Sequence, residues 1–283
     1  MTYRHIGIVG LGLMGGSLAL KIRQHFPTLS LFGVDPDRHA LQWAIAHGIV
    51  NDGAEALAAI PQTLDVVIIC TPIETITPTV KALTQHLKNP VVLTDIGSVK
   101  GQIVENVPPL SEGHVFIPGH PMAGIEKNGI QYANPNILTQ APYVLVPQNA
   151  EAYEYFKAFL TVLQFRVVEM SAAIHDEVVA YASHVPYVMA CLTVKVSQVL
   201  SKEQQESLKQ ILGPGFRDTT RVAGSSPKWG SEIARFNKEA LKKALSELKK
   251  SLENVEMLVE EGSHEKLTHF FQNAQNQRAF YYD

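Results

Sequence analysis

The chain reads as an α/β protein: a mostly parallel, helix-covered sheet over residues 1–170, then an all-α domain over residues 171–283. Three observations predict this. Short β-branched runs alternate with helix-spaced stretches through the first 170 residues, the order a parallel sheet requires. After about Met170 the β-branched runs stop and helical spacing takes over. The length, 283 residues, fits two domains at about 150 residues each.

The β-branched runs are Ile6–Val9, Leu31–Val34, Val66–Ile69, Val91–Thr94, Val115–Ile117, Val144–Val146 and Val167–Glu169. Val66–Ile69 is continuously apolar rather than alternating, as expected of a strand covered on both faces. Helical spacing marks Leu18–His25, His39–His47, Ile76–Leu87 and Tyr153–Leu163. His175–Leu200 is one apolar helical region in which Pro186 should kink or restart the helix. Gly213–Gly230, rich in Gly, Pro and Ser, reads as a loop, and Ser231–Glu261 as one long helix. In that helix Leu241, Leu245, Leu248, Leu252, Val255 and Val259 step by four and three alternately, a heptad seam. The seam fits packing within the chain or a helical dimer interface, and the spacing does not choose between them.

Composition narrows the function classes. With 24 Lys+Arg against 27 Asp+Glu the net charge is −3, which excludes an overall basic nucleic-acid footprint. Charged residues at 18% and apolar residues at 46% describe a folded globular chain. The longest apolar runs, such as Val66–Cys70, are strand-sized and short of the ~20 residues that span a bilayer. No basic segment followed by a long apolar stretch precedes Ile6, so no signal peptide is expected and a cytoplasmic protein without membrane partners is. The two cysteines, Cys70 and Cys191, make neither a disulfide framework nor a four-cysteine zinc site. Each is read as a small buried hydrophobe, and no metal is expected.

The strand Ile6–Val9 runs into Gly10-Leu11-Gly12-Leu13-Met14-Gly15 and then a helical stretch. This is the G-x-G-x-x-G fingerprint in its required setting of strand, turn and helix. Gly10 allows the turn, Gly12 admits a pyrophosphate close to the backbone, and Gly15 lets helix and strand pack closely. The helix N-terminus then holds the phosphates. The first domain is therefore a Rossmann-type dinucleotide-binding domain. Asp35, at the end of the next strand, is placed to accept both adenosine-ribose hydroxyls and repel a 2′-phosphate, favouring NAD over NADP. A turn aspartate before Pro36 is the other reading, and Arg38 lies near enough to blur the preference. Thr71, closing Val66–Cys70, borders the nicotinamide side.

Three further segments point to chemistry. In Thr94-Asp-Ile-Gly-Ser-Val-Lys100, Ser98 is either a helix cap or a hydroxyl that orients a substrate oxygen. In Pro118-Gly-His-Pro-Met-Ala-Gly-Ile-Glu-Lys127, His120 is held between glycine and proline at a strand end. An imidazole there suits accepting a proton from an alcohol as hydride leaves for nicotinamide. Lone histidines elsewhere, as at His39, His47 and His86, read as surface groups. In Gly213-Pro-Gly-Phe-Arg-Asp-Thr-Thr-Arg221, Arg217 and Arg221 either clamp carboxylates bidentately or belong to a solvated loop.

Over nearly its whole length the chain resembles the prephenate/arogenate dehydrogenase family of tyrosine biosynthesis. The resemblance rests on Gly10–Leu18, Thr94–Lys100, Gly119-His-Pro-Met-Ala-Gly124, Ser183-His-Val-Pro186 and Gly215-Phe-Arg-Asp-Thr-Thr-Arg221. It implies NAD as cofactor, a helical domain that dimerises, and a homodimer. It implies hydride transfer from the hydroxyl-bearing ring carbon and loss of carbon dioxide as the ring aromatises. Prephenate would give 4-hydroxyphenylpyruvate and arogenate tyrosine. By the same resemblance His120 takes the hydroxyl proton, Ser98 holds that hydroxyl beside the nicotinamide, and Arg221 binds a substrate carboxylate. Arg217 and Asp218 fall at the site entrance, Glu126 gates it through ion pairs, and His184 belongs to the substrate motif. Tyr187 departs from the pattern: some prephenate users carry a second histidine there, so the preference for keto or amino substrate stays open. Two domains use all 283 residues, so tyrosine feedback is expected at the active site itself. The rival readings are a β-hydroxyacid dehydrogenase, which usually depends on a lysine in the helical domain, and a non-catalytic NAD-binding protein, which would need only the glycine loop.

Overall fold

The computed structural model describes residues 3–110 and 113–282 and divides into two compact units, Met1–Lys238 and Glu239–Asp283. In the first unit, β1 (His5–Val9), α1 (Leu13–His25), β2 (Ser30–Val34), α2 (Arg38–Ala46) and β3 (Asp52–Ala54) form one half of the sheet. The other half is β4 (Val66–Ile69), α3 (Ile73–His86), β5 (Val92–Asp95), α4 (Gly101–Asn106) and β6 (Val115–Ile117). The strands lie in the order β3-β2-β1-β4-β5-β6, every pair parallel. This is the doubly wound dinucleotide-binding order. The unbroken apolar run in β4 has its cause here. Val66 and Ile68 join the core cluster on one face with Leu18, Ile22 and Phe156. Val67 and Ile69 join the cluster on the other face with Ile76, Val80 and Leu83.

The last two expected strands do not extend this sheet. β7 (Gly119–Pro121), β8 (Pro142–Leu145) and β9 (Arg166–Glu169) form a separate three-stranded sheet, with α5 (Glu151–Val162) between the last two. β7 runs antiparallel to β8, and β9 parallel to it. Pro118 ends β6 because it has no N–H to give the ladder, and the chain re-pairs with β8 one residue later. This jump places His120 at the junction of the two sheets.

α6 (Ala172–Val179), a π-helical turn at Ala180–His184 and α7 (Val185–Val196) form one rod. The Val185 N–H reaches back five residues to the Ala180 carbonyl. This wide turn absorbs Pro186, which therefore sits in the first turn of α7 without a sharp break. By length and a mean hydropathy of 1.2 in its most apolar window, Ala172–Val199 is long and apolar enough to cross a membrane. That corrects the expectation of no such segment, although the same rod carries His175, Asp176 and His184.

α8 (Lys202–Ile211), α9 (Pro214–Thr220) and α10 (Pro227–Phe236) follow. The expected loop over Gly213–Gly230 is thus mostly helical. Pro214 and Pro227 stand in first-turn positions, where a missing N–H is harmless. The expected long helix is broken at Asn237, whose φ of −114° and ψ of 36° separate α10 from α11 (Lys238–Glu261). Composition and packing divide the chain at different places. The pattern changes near Met170, yet α6 packs on α4 and α10 on α3, so the first compact unit runs on to Lys238.

The second unit holds most of α11, with its heptad seam, and α12 (His264–Tyr282), which the sequence pattern did not reveal. On the seam Leu252 and Val259 are 63% and 65% exposed. Cys70 and Cys191 are half-buried free thiols rather than fully buried ones. His86 is half-buried as well, its Nε2 lying 3.1 Å from the Ile60 carbonyl.

Candidate active site

β1 delivers the chain into the glycine turn. Gly10 has φ +96°, and a Cβ on Gly15 would lie 1.9 Å from the Gly10 carbonyl oxygen. α1 starts at Leu13 with no side-chain cap and no acidic residue in its first turn. Its leading N–H groups are therefore open to an anion. Gly12, Leu13 and Met14 line the cleft in front of this turn, while Gly10, Leu11 and Gly15 form its back. Asp35 braces the turn from β2: Oδ2 accepts the Leu11 N–H at 2.6 Å and Oδ1 the Asp37 N–H at 2.8 Å. Arg38 turns instead to Glu55, 3.8 Å away.

The cleft has a volume of about 640 Å³ and continues from Gly12 past Thr71, Ser98 and His120 to Tyr187 and Arg221. Thr71 Oγ1, Ser98 Oγ and Glu232 Oε1 are buried without a hydrogen-bond partner, and all three residues line it. Buried polar groups of this kind mark places where a ligand completes the bonding. Open amides at α1 together with these orphaned acceptors and donors fit a dinucleotide.

Ser98 does not cap α4. That work falls to Asp176, whose Oδ1 accepts the Lys100 N–H and whose Oδ2 accepts the Gly101 N–H, each at 2.7 Å. The Ser98 hydroxyl is left for the cleft. Beneath it, Asp95 binds the buried Lys100 ammonium and accepts the Gly97 N–H at 2.8 Å and the Gly119 N–H at 3.3 Å. Burial pulls the Lys100 ammonium down from its ordinary range, and Asp95 works against that pull. One carboxylate thus ties the strand end that carries Ser98 to the strand that carries His120.

His120 lies at the head of a chain of partners. Its Nδ1 is 2.8 Å from His175 Nε2, and His175 Nδ1 is 2.8 Å from Asp176 Oδ1. Burial works to raise the Asp176 carboxyl, but hydrogen bonds from His175, Lys100 and Gly101 outweigh it and hold the group below its ordinary range. Proton positions then follow from one end. The Asp176 carboxylate accepts only, so His175 Nδ1 donates to it. With its N–H at Nδ1, His175 accepts at Nε2 from His120 Nδ1. The remaining nitrogen, His120 Nε2, carries a lone pair. Burial first, then the neighbouring basic groups His175, Lys100 and His184, hold the His120 imidazole well below its ordinary range. His120 is therefore a neutral proton acceptor at physiological pH.

On the opposite wall, Arg221 Nη1 bonds Glu126 Oε2 at 2.9 Å. The Arg221 side chain is 53% exposed. The Glu126 carboxyl is held below its ordinary range by its own backbone amide and then by Arg221. Tyr187 stacks edge-on against Trp229 at 5.0 Å, and both line the cleft.

Two expected site residues lie elsewhere. The Arg217 side chain is 74% exposed and paired with Asp218 at 2.9 Å. It does not line the cleft, because α9 turns it to solvent where its neighbour supplies the counter-charge. His184 is fully buried behind the cleft, with Nδ1 3.2 Å from Asn237 Nδ2.

Sequence reasoning missed His175, Asp176, Trp229, Glu232 and Asn237. A histidine–aspartate pair in the first turns of a helix, directly after the last strand, was a usable sign of the first two. The others depend on how α10 packs; the sequence pattern sets its first four residues in a loop and runs the rest into one long helix through Asn237.

Residues 18–169 match the family model described as "Prephenate dehydrogenase, nucleotide-binding domain". Residues 171–273 match the one described as "Prephenate dehydrogenase, dimerization domain". The prephenate dehydrogenase of Bacillus subtilis (strain 168) is 30% identical over 276 residues, spanning 96% of this chain and 74% of that protein. A crystal structure of prephenate dehydrogenase from A. aeolicus in complex with hydroxyphenyl propionate and NAD+ superposes with a TM-score of 0.89. Its identity is 29%, over 99% of this chain and 98% of that one. The crystal structure of Synechocystis arogenate dehydrogenase gives a TM-score of 0.78 at 32% identity, over 98% of this chain and 99% of that one.

Proposed function

The chain belongs to the prephenate dehydrogenase family, and from that premise we propose how its own residues divide the work. It is an NAD-dependent dehydrogenase of tyrosine biosynthesis that oxidatively decarboxylates prephenate, with arogenate as the alternative substrate. NAD, when bound, supplies the hydride acceptor.

The observation that carries the assignment of roles is the chain from Asp176 through His175 to His120. It leaves an unprotonated ring nitrogen on a residue that lines the same cleft as the glycine turn. His120 Nε2 takes the proton of the ring hydroxyl while the C–H electron pair leaves as hydride. The C–O bond becomes a carbonyl. The C–C bond to the ring carboxylate then breaks, carbon dioxide departs, and its electron pair makes the ring aromatic with a phenolate oxygen. His120 returns the proton to that oxygen, so no net proton is released. Ser98 Oγ orients the hydroxyl, and Thr71 with the Gly10–Gly15 turn and Asp35 holds the cofactor. Arg221 anchors a substrate carboxylate in exchange for Glu126, and Tyr187 lies where the substrate side chain is read. Arg217 and His184 receive no substrate contact.

The proposal extends to a homodimer, in keeping with the dimerization-domain match, to a cytoplasmic enzyme without membrane or nucleic-acid partners, and to tyrosine as an active-site inhibitor resembling the product. Neither rival reading accounts for the His120–His175–Asp176 chain.

The test is turnover by purified protein of NAD with prephenate, arogenate or a 3-hydroxyacid, followed as NADH. Activity is expected with prephenate or arogenate only. His120→Ala should lower kcat by roughly 10²–10⁴-fold, the usual share of a general base, and leave NAD affinity nearly unchanged. A variant that lost NAD affinity but turned over bound substrate normally would refute the assignment.

A further inference from the structure

α10 packs against α3 and turns Glu232 inward. The residue is 8% exposed. Its Oε2 accepts the Ile73 N–H at 3.2 Å, at the start of α3 and two residues beyond Thr71. Its Oε1 is buried and has no hydrogen-bond partner. The neighbouring cation, Lys228 Nζ, stands 4.0 Å from Oε1, too far for a hydrogen bond. Lys228 is also shared with Glu74 at 3.6 Å. Glu232 lines the cleft together with Gly12, Thr71 and Ser98.

A buried carboxylate oxygen without a donor is destabilising, so a ligand donor is its natural complement. Position indicates which donor. The doubly wound sheet consists of two mononucleotide-binding halves. Asp35 serves the first half at the end of β2. β4 opens the second half, and Glu232 reaches its carboxyl end from α10. A ribose diol offers two O–H donors, the complement of an acceptor-only carboxylate. The substrate's own carboxylates would be repelled there.

We propose that Glu232 Oε1 accepts hydrogen bonds from the hydroxyls of the nicotinamide-side ribose. It would thus do for the second ribose what Asp35 does for the first. This inference rests on NAD being the cofactor.

The experiment is a binding titration, independent of turnover, with ADP, ADP-ribose and NAD on wild type, Glu232→Ala and Glu232→Gln. ADP lacks the second ribose and should bind all three proteins alike. ADP-ribose and NAD should bind both variants about tenfold more weakly. Glu232→Gln keeps an acceptor for the Ile73 N–H, so a loss confined to ADP-ribose and NAD there is not a folding defect. A second measurement needs no variant: an NAD analogue lacking the nicotinamide-side ribose hydroxyls should bind wild type about tenfold more weakly than NAD. Equal affinity of the analogue and NAD would overturn the proposal. So would an equal loss for ADP and ADP-ribose, or an effect seen only in the KM for arogenate, whose ammonium would then be the donor. Failure of the dinucleotide reading itself would look different, as wild type binding neither ADP nor NAD.

Discussion

Asp176→Asn probes the proton chain without touching the cleft. Asp176 accepts three donors: the Lys100 N–H and His175 Nδ1 on Oδ1, and the Gly101 N–H on Oδ2. An amide offers one oxygen and one NH₂. With the oxygen toward His175, the NH₂ meets the Gly101 N–H, donor against donor. With the oxygen toward Gly101, the NH₂ faces His175, whose proton must move to Nε2. His120 then accepts at Nδ1 and carries its proton on Nε2, where it can no longer receive one from substrate. Turnover should fall toward the full general-base share, roughly 10²–10⁴-fold, or about 3–5 kcal/mol of barrier at 1.36 kcal/mol per decade. Either orientation leaves a buried backbone donor unsatisfied, the Gly101 N–H in the first and the Lys100 N–H in the second, a stability loss of about 1–3 kcal/mol. The assay is kcat and kcat/KM across pH, with NAD binding reporting the folded fraction. In wild type the acid limb of kcat/KM should lie below the ordinary imidazole range, because His120 is held down by burial and neighbouring basic groups. A folded Asp176→Ala protein, which offers His175 no oxygen in either orientation, with kcat within threefold of wild type would refute the chain.

Glu126→Gln should release Arg221 for substrate. The pair is half-exposed, where such ion pairs are worth about 0.2–1 kcal/mol. KM should therefore fall by no more than about fivefold with kcat unchanged, and a rise in KM would show that Glu126 holds substrate instead. Acid stability should report His184. Burial pushes its imidazole down to about 4, so the unfolded chain takes up this proton first as pH falls. The stability is present in full above about 6.5 and is lost as pH drops toward 4, about 3 kcal/mol at 1.36 kcal/mol per pH unit. Denaturant midpoints at neutral and acid pH should differ less in His184→Gln than in wild type; the same difference in both would remove His184 from the account.

Much of this architecture was legible because it rests on local pattern. The glycine turn, the alternation of strand and helix, and the unbroken run Val66–Ile69 each have one geometric solution. What was illegible depends on long-range pairing. Nothing local separates β8 from the six-stranded sheet; only the interruption at Pro118 and the antiparallel pairing of β7 do so. Pro214 and Pro227 carried a loop signal although each starts a helix. At the site, His120 and Ser98 were visible from their neighbours. The group that decides their chemistry, Asp176, lies 75 residues beyond Gly101, which it caps. A cap supplied from so far away has no spacing signature, and Ser98, a strong cap by residue type, was the obvious wrong candidate.

The two ends of the cleft are built in opposite ways, and the reaction explains why. The proposed proton acceptor, His120, is buried and bonded through one residue, His175, to the Asp176 carboxylate, so its protonation state is fixed before substrate arrives. Arg221 is left half in water and already paired. Water weakens a charge pair several-fold relative to a dry site. An arginine buried against the ring carboxylate would stabilise that anion and oppose its departure as neutral carbon dioxide. In the proposed mechanism an exposed arginine, borrowed from Glu126 on binding, would position a dianionic substrate while holding either carboxylate only weakly. Precision is therefore needed where the proton moves, and a loose grip is tolerated, even favourable, where charge has to leave.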